Sequence, residues 1–131
     1  MPILEWSETQ PRLELADADE LDHAIDRLAL RYTSDHPAIV ALYAHGYQVI
    51  LGLGLPDSFV QVQQWDDPQT EPIFATVGDI KATGTVAFYF LGSRETEIPR
   101  RHLVPAATAR RLAKQFLESG NRSNEVAWEE V

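Results

Sequence analysis

Four histidines, His23, His36, His45 and His102, and several adjacent carboxylates are the side chains of this sequence whose types suit acid–base or metal chemistry. Zinc-binding histidines on a helix need to share one face, and no pair of these four has that spacing. His23 lies among Asp19, Asp22 and Asp26. Asp22 and Asp26 would share a helix face, but His23 is turned about one residue away from it, so the group reads as a solvated acidic face. His45 reads as a turn residue and His102 as a surface residue in a basic patch. Pairs such as Asp66-Asp67 and Glu129-Glu130 place two carboxylates side by side. General-acid work needs a raised pKa that exposed neighbours seldom have, so these read as surface charge. The run Gly52-Leu53-Gly54-Leu55-Pro56-Asp57 lacks the third glycine of a dinucleotide fingerprint and precedes a strand where a helix is required. Ser58 stands in no Gly-x-Ser-x-Gly elbow. The chain has no cysteine, which removes thiolate nucleophiles and thiolate metal ligands together. Catalysis needs a nucleophile, a base and an orienting group, or a metal with an open position. The sequence predicts no enzyme, no catalytic residue, no metal and no cofactor.

What remains is a binding surface. Along Ser58 to Trp65, Val60 and Val62 point one way while Phe59, Gln61, Gln63 and Trp65 point the other. Asp66, Asp67 and Glu71 follow, and Asp79 comes after the next strand. An aromatic anchor ringed by acids suits a protein interface, where a buried aromatic is fenced by polar neighbours. The expected partner-binding residues are therefore Trp65, Asp66, Asp67, Glu71 and Asp79. The same alternation also fits a face covered by a helix, with Trp65 and Phe59 in the core, and both readings stand at this point.

Charge bears on the kind of partner. Twenty acidic against eleven basic side chains give a net charge of −9. Such a surface repels a phosphate backbone, so no direct nucleic-acid contact is expected. A basic protein would be drawn to it and would associate faster at low salt. Acidity alone also serves solubility, so it does not name a function. The first residues show no basic segment followed by an apolar run, and the longest mostly apolar run, Val86 to Leu91, is far too short to cross a bilayer. A soluble, cytoplasmic protein with no membrane contact is the expectation.

The elements that must position these residues are legible in part. At 131 residues with 44% apolar content, the chain fits one domain over 18–131, preceded by an N-terminal extension, 1–17, whose Arg12 to Leu15 alternation suits an edge strand. Leu21, Ala24, Ile25, Leu28 and Tyr32 recur at helical spacing, which predicts a helix over about 19–32 with Asp17 as its N-cap. Strands are predicted over 38–44, 47–53, 58–65, 73–77, 85–91 and 125–128, with the apolar run Thr85 to Leu91 as a central strand buried on both faces and Gly92 to Ile98 as a turn. Pro105 opens a second helix and Gly120 ends it, with Ala109, Leu112, Ala113, Phe116 and Leu117 inward and Arg110, Arg111 and Lys114 on the opposite face. The fold class is α+β: a mostly antiparallel sheet of about six strands with two main helices packed on it.

The C-terminal third carries a resemblance. Ile98-Pro99-Arg100 and Leu103-Val104-Pro105 lead into an alanine-rich helix. Phe116 to Arg122 then runs through a Gly/Arg-containing turn into Val126-Ala127-Trp128-Glu129-Glu130-Val131. This ending resembles that of the deaminase-associated immunity proteins of bacterial polymorphic toxin systems. Leu51-Gly52-Leu53-Gly54 before Phe59-Val60, and Val77-Gly78-Asp79 after it, are similar too. The likeness spans roughly residues 18 to 131. It implies a small cytoplasmic protein, made beside a secreted toxin, that protects the producing cell by binding the toxin domain, often a zinc-dependent deaminase of nucleic acid. An acidic protein lying over the basic substrate groove of such an enzyme would exclude substrate with no chemistry of its own. An immunity or antitoxin protein against a nuclease, whose groove is equally basic, is the first alternative. A small ligand-binding accessory domain with a pocket between sheet and helices is the second.

Overall fold

The computed structural model describes residues 1–66 and 72–131. Helix α1 (Ala18–Ala29) starts where the sequence signals place it: Asp17 is extended and its side chain accepts from the Glu20 N–H at 3.0 Å. Leu21, Ala24, Ile25 and Leu28 form its buried stripe. Helix α2 (Ala106–Ser119) follows Pro105, which stands one position earlier than predicted, as the cap, and ends at Gly120 in the left-handed conformation.

The centre of the sheet is a hairpin of β3 (Ala38–Ala44) and β4 (Tyr47–Leu53). Its two-residue turn, His45-Gly46, has positive φ at both positions, the geometry that matches the right-handed twist of the flanking strands. That turn fixes the register, Ala44 opposite Tyr47 and Tyr43 opposite Gln48. Strands β6 (Val60–Gln64), β7 (Phe74–Val77) and β11 (Ala127–Glu130) extend the sheet on one side, and β1 (Ile3–Glu5) and β2 (Leu13–Glu14) on the other. The first seventeen residues thus supply two strands, with Leu4 fully buried between Leu13 and Leu42.

Among the described residues, nine strands join one sheet, and β5 (Asp57–Ser58) with β10 (Val104–Pro105) makes a separate two-stranded pair. The architecture is α+β and largely antiparallel, as expected, but about six strands was too few. The principal omission is β9 (Arg94–Pro99), which pairs with β8 (Thr85–Phe90) where a turn was expected. Its polar run Arg94-Glu95-Thr96-Glu97 belongs to a largely exposed edge strand, whose composition resembles that of a loop. The expected central position of β8 is also corrected. It pairs with β3, in parallel, only through its last two residues, Tyr89 and Phe90, opposite Ala38 and Ile39. Its apolar residues on both parities have two separate uses: Phe88 is fully buried, while Tyr89 stacks on His36 at 3.7 Å between centroids.

Alternation divides the apolar residues into two bodies. Leu42, Val49 and Val62 make a cross-strand row beneath the helices, with Val40, Leu51 and Val60 beside it, and half-buried Phe74 continues the row on β7. On the opposite face, Ile39, Phe59, Phe88 and Ile98 form a smaller cluster. The β8–β9 hairpin covers Phe59, so that residue is in the core, yet under a hairpin and not under a helix. A Cβ on Gly52 would lie 2.4 Å from the Phe88 ring, so the close approach requires glycine there.

Candidate partner-binding face

The hairpin covers one end of the helix-free face and leaves the other end open. The register puts Ile3, Tyr43, Gln48 and Gln63 in one row across this open half. A second row runs Glu5, Ala41, Ile50, Gln61, Ala75 and Glu129. Gln61 and Gln63 are half-buried, as their alternation with Val60 and Val62 predicts.

Trp65 follows the last residue of β6 and is 53% exposed. Its backbone N–H and that of Asp66 both donate to the Gly46 carbonyl, at 2.8 and 3.3 Å. Its ring meets Tyr43 edge-on. The Tyr43 hydroxyl donates to Glu5 at 3.1 Å and accepts from Gln48 at 3.0 Å, while Arg12 pairs with Glu5 at 3.0 Å. Burial, with the Glu5 carboxylate close by, pushes the Tyr43 phenol above its ordinary range. The aromatic pair is therefore held by a connected polar network and not by one contact. A groove of about 500 Å³ lies beside it, lined by Met1, Pro2, Tyr43, Tyr47, Trp65 and Leu117 among others.

Of the residues expected to bind a partner, the structure brings Trp65 and Asp66 together at this open end. A Cβ on Gly46 would fall 2.6 Å from Asp66 Oδ2, so that glycine also makes room for the carboxylate. Asp79 follows β7 at the opposite end of the sheet, exposed, with its Oδ1 accepting from the Lys81 N–H. Asp67 and Glu71 lie outside the described residues. Sequence reasoning missed Tyr43, Gln48 and Glu5. The first two had a readable signal, since a two-residue turn at His45-Gly46 forces Tyr43 to face Gln48.

Two readings of charged residues are corrected. His102, expected at the surface, is 1% exposed: its Nε2 donates to Glu129, which also takes the Arg101 guanidinium at 2.7 Å. The acids of α1 are not simply solvated. Asp22 pairs with Lys114 and Asp26 with Arg110, each at 2.6 Å, so the helices are joined by ion pairs along their rims. Arg111 turns to Glu125, also at 2.6 Å. The cations of α2 are thereby occupied.

No group of three or more His, Asp or Glu side chains that could hold a metal occurs among the described residues, and no helix there is long and apolar enough to cross a membrane. The terminal motif serves the fold. Trp128 packs against the helix-side core with its indole N–H donating to the Ser123 carbonyl at 2.8 Å, and Glu129 ties β11 to the turn before α2. These are the residues that carried the sequence resemblance. No curated protein is similar enough to the chain to match it. The family model described as Immunity protein Imm1 matches residues 10–130, nearly the whole chain, and the chain belongs to that family of immunity proteins.

Proposed function

We propose that this immunity protein neutralises a secreted nucleic-acid deaminase in the cytoplasm of the producing cell, by lying over the toxin's cationic substrate groove. The observation that supports this mode is the half-exposed Trp65, braced on Tyr43 beside Asp66, on the sheet face opposite α1 and α2. A rigid aromatic with a polar surround is the composition of an interface hot spot. A deaminase of nucleic acid needs a basic groove leading to its zinc-bound water. Trp65 fills a pocket in that groove. Asp66, with Asp67 and Glu71, pairs with the Lys and Arg side chains that would otherwise hold phosphates. Asp79, at the far end of the sheet, contributes through the long-range field of a chain whose net charge is −9. Inhibition of this kind requires no bond to be made or broken by the immunity protein.

The test is co-purification with the C-terminal toxin domain encoded beside this chain, followed by deamination assays on single-stranded DNA and RNA. Inhibition is expected to be competitive with nucleic acid. A toxin that cleaves nucleic acid instead would redirect the proposal to a nuclease. Alanine at Trp65, Asp66, Asp67, Glu71 and Asp79 together should abolish tight binding, and unchanged affinity would remove this surface from the account.

A further inference from the structure

Around the same end of the sheet, on the helix side, a cavity of about 510 Å³ opens between β7, β11 and the loop after α2. Tyr47 lines both this cavity and the groove beside Trp65, so the two adjoin at that side chain. Phe74, Phe116 and Trp128 supply aromatic walls, and Arg122 and Asn124 supply polar ones. The Arg122 guanidinium lies over the Phe74 ring, 3.7 Å from its centroid, and 5.8 Å from that of Trp128. The Trp128 N–H is already committed to Ser123, which fixes the indole and the loop against each other.

Arg122 differs from most other arginines here. Arg12, Arg94, Arg101, Arg110 and Arg111 each meet a carboxylate, whereas no carboxylate among the described residues comes within ion-pair distance of Arg122. Glu130 shares its sheet face, opposite Phe74, and still forms no ion pair with it. A guanidinium stacked on a ring keeps its in-plane N–H donors available, and that fork matches a carboxylate in two parallel hydrogen bonds. In a chain of charge −9, a cation mounted on aromatic rings in a concave site, without an ion-pair partner among the described residues, is complementary to an acidic group from outside.

We infer that this cavity receives one Asp or Glu side chain of the toxin, a contact of reversed polarity within an interface that otherwise sets acids of this chain against cations of its partner. The inference rests on the reading that the chain holds a protein toxin by this end. A single reversed pair fixes orientation, because any other register would bring the toxin's cations against Arg122. The partner therefore caps the end of the sheet, with Trp65 engaged on one face and Arg122 on the other.

The experiment measures binding of the toxin domain encoded beside this chain to the wild type, Trp65→Ala, Arg122→Gln and Arg122→Glu, with thermal unfolding of each variant alongside. Gln keeps an aliphatic stem on Phe74 and removes the charge, so it serves if Glu disturbs the loop. Arg122→Gln should weaken affinity at least tenfold, mainly through faster dissociation, and Arg122→Glu by a hundredfold or more. One Asp→Arg or Glu→Arg change on the toxin should restore binding to Arg122→Glu. If both Arg122 variants bind within twofold of wild type while Trp65→Ala is weakened, the anchor is overturned and the functional reading stands. Weakened binding that no toxin charge reversal restores would overturn the anchor as well. If the wild type does not bind, the functional reading itself fails.

Discussion

The ring of Trp65 meets that of Tyr43 at 67°, with centroids 5.4 Å apart, and Tyr43 is in turn held by hydrogen bonds to Glu5 and Gln48. An aromatic fixed from behind loses little freedom when a partner covers it, which is the condition for a strong anchor. Trp65→Ala should weaken toxin affinity about 30-fold or more, the equivalent of about 2 kcal/mol for a hot-spot side chain. Because the indole is half-exposed, thermal unfolding should change little. Calorimetric titration alongside a melting curve checks both, and a large fall in melting temperature with intact affinity would reverse the assignment.

Asp66 forms no ion pair among the described residues and stands next to the anchor. Replacing it with Asn should slow association with a basic toxin severalfold at low salt. The difference should vanish at high ionic strength, where screening removes long-range attraction. Asp79→Asn, at the far sheet end, should have the smaller effect. Stopped-flow rates across a salt series decide this, and equal slowing at all salt concentrations would argue against electrostatic attraction.

Gly52 and Phe88 form a matched pair. Gly52→Ala should displace the Phe88 ring and cost about 1–3 kcal/mol, the range for overpacking a core. Phe88→Leu added to Gly52→Ala should cost less than the sum of the single changes, since each relieves the other. Denaturant unfolding of the four proteins in the cycle measures the coupling, and strict additivity would mean the ring does not need that space.

Hydrogen bonds from Arg101 and then His102 hold the Glu129 carboxyl below its ordinary value of 4.5. A depressed carboxylate stabilises the fold above its ordinary pKa, and that contribution is lost as pH falls through the lowered value. Glu129→Gln should therefore melt earlier than wild type at neutral pH, with the gap closing as pH drops below 4.5. A gap independent of pH would show that shape, and not charge, is what Glu129 supplies.

Sequence signals were reliable where they are local. Asp17 with Glu20, the His45-Gly46 turn and Gly120 each act within a few residues, and each is found close to where the pattern puts it. The errors arise from contacts between distant segments. His102 reads as a surface residue until Glu129, in the last strand, provides its partner. Thr85 to Leu91 reads as a central strand because nothing near it announces that Phe88 reaches Gly52 and Phe59. Arg94 to Glu97 is loop-like in composition, and only its pairing with β8 makes it a strand. Of the candidate face, Trp65 and Asp66 were visible as a type and a position, while the Tyr43 brace depended on a register that only the assembled sheet reveals.

One edge of β3 is divided: β1 occupies its latter half, and the β8–β9 arch pairs with its start only through Tyr89 and Phe90, the end of β8. The two apolar clusters share no residue, so the arch is an outrigger on a finished hull. Substitutions at the exposed Glu95 and Glu97 on its outer side therefore leave the volume and shape of the helix-side interior untouched. The part of the fold most open to change is thereby set apart from the part that holds it together.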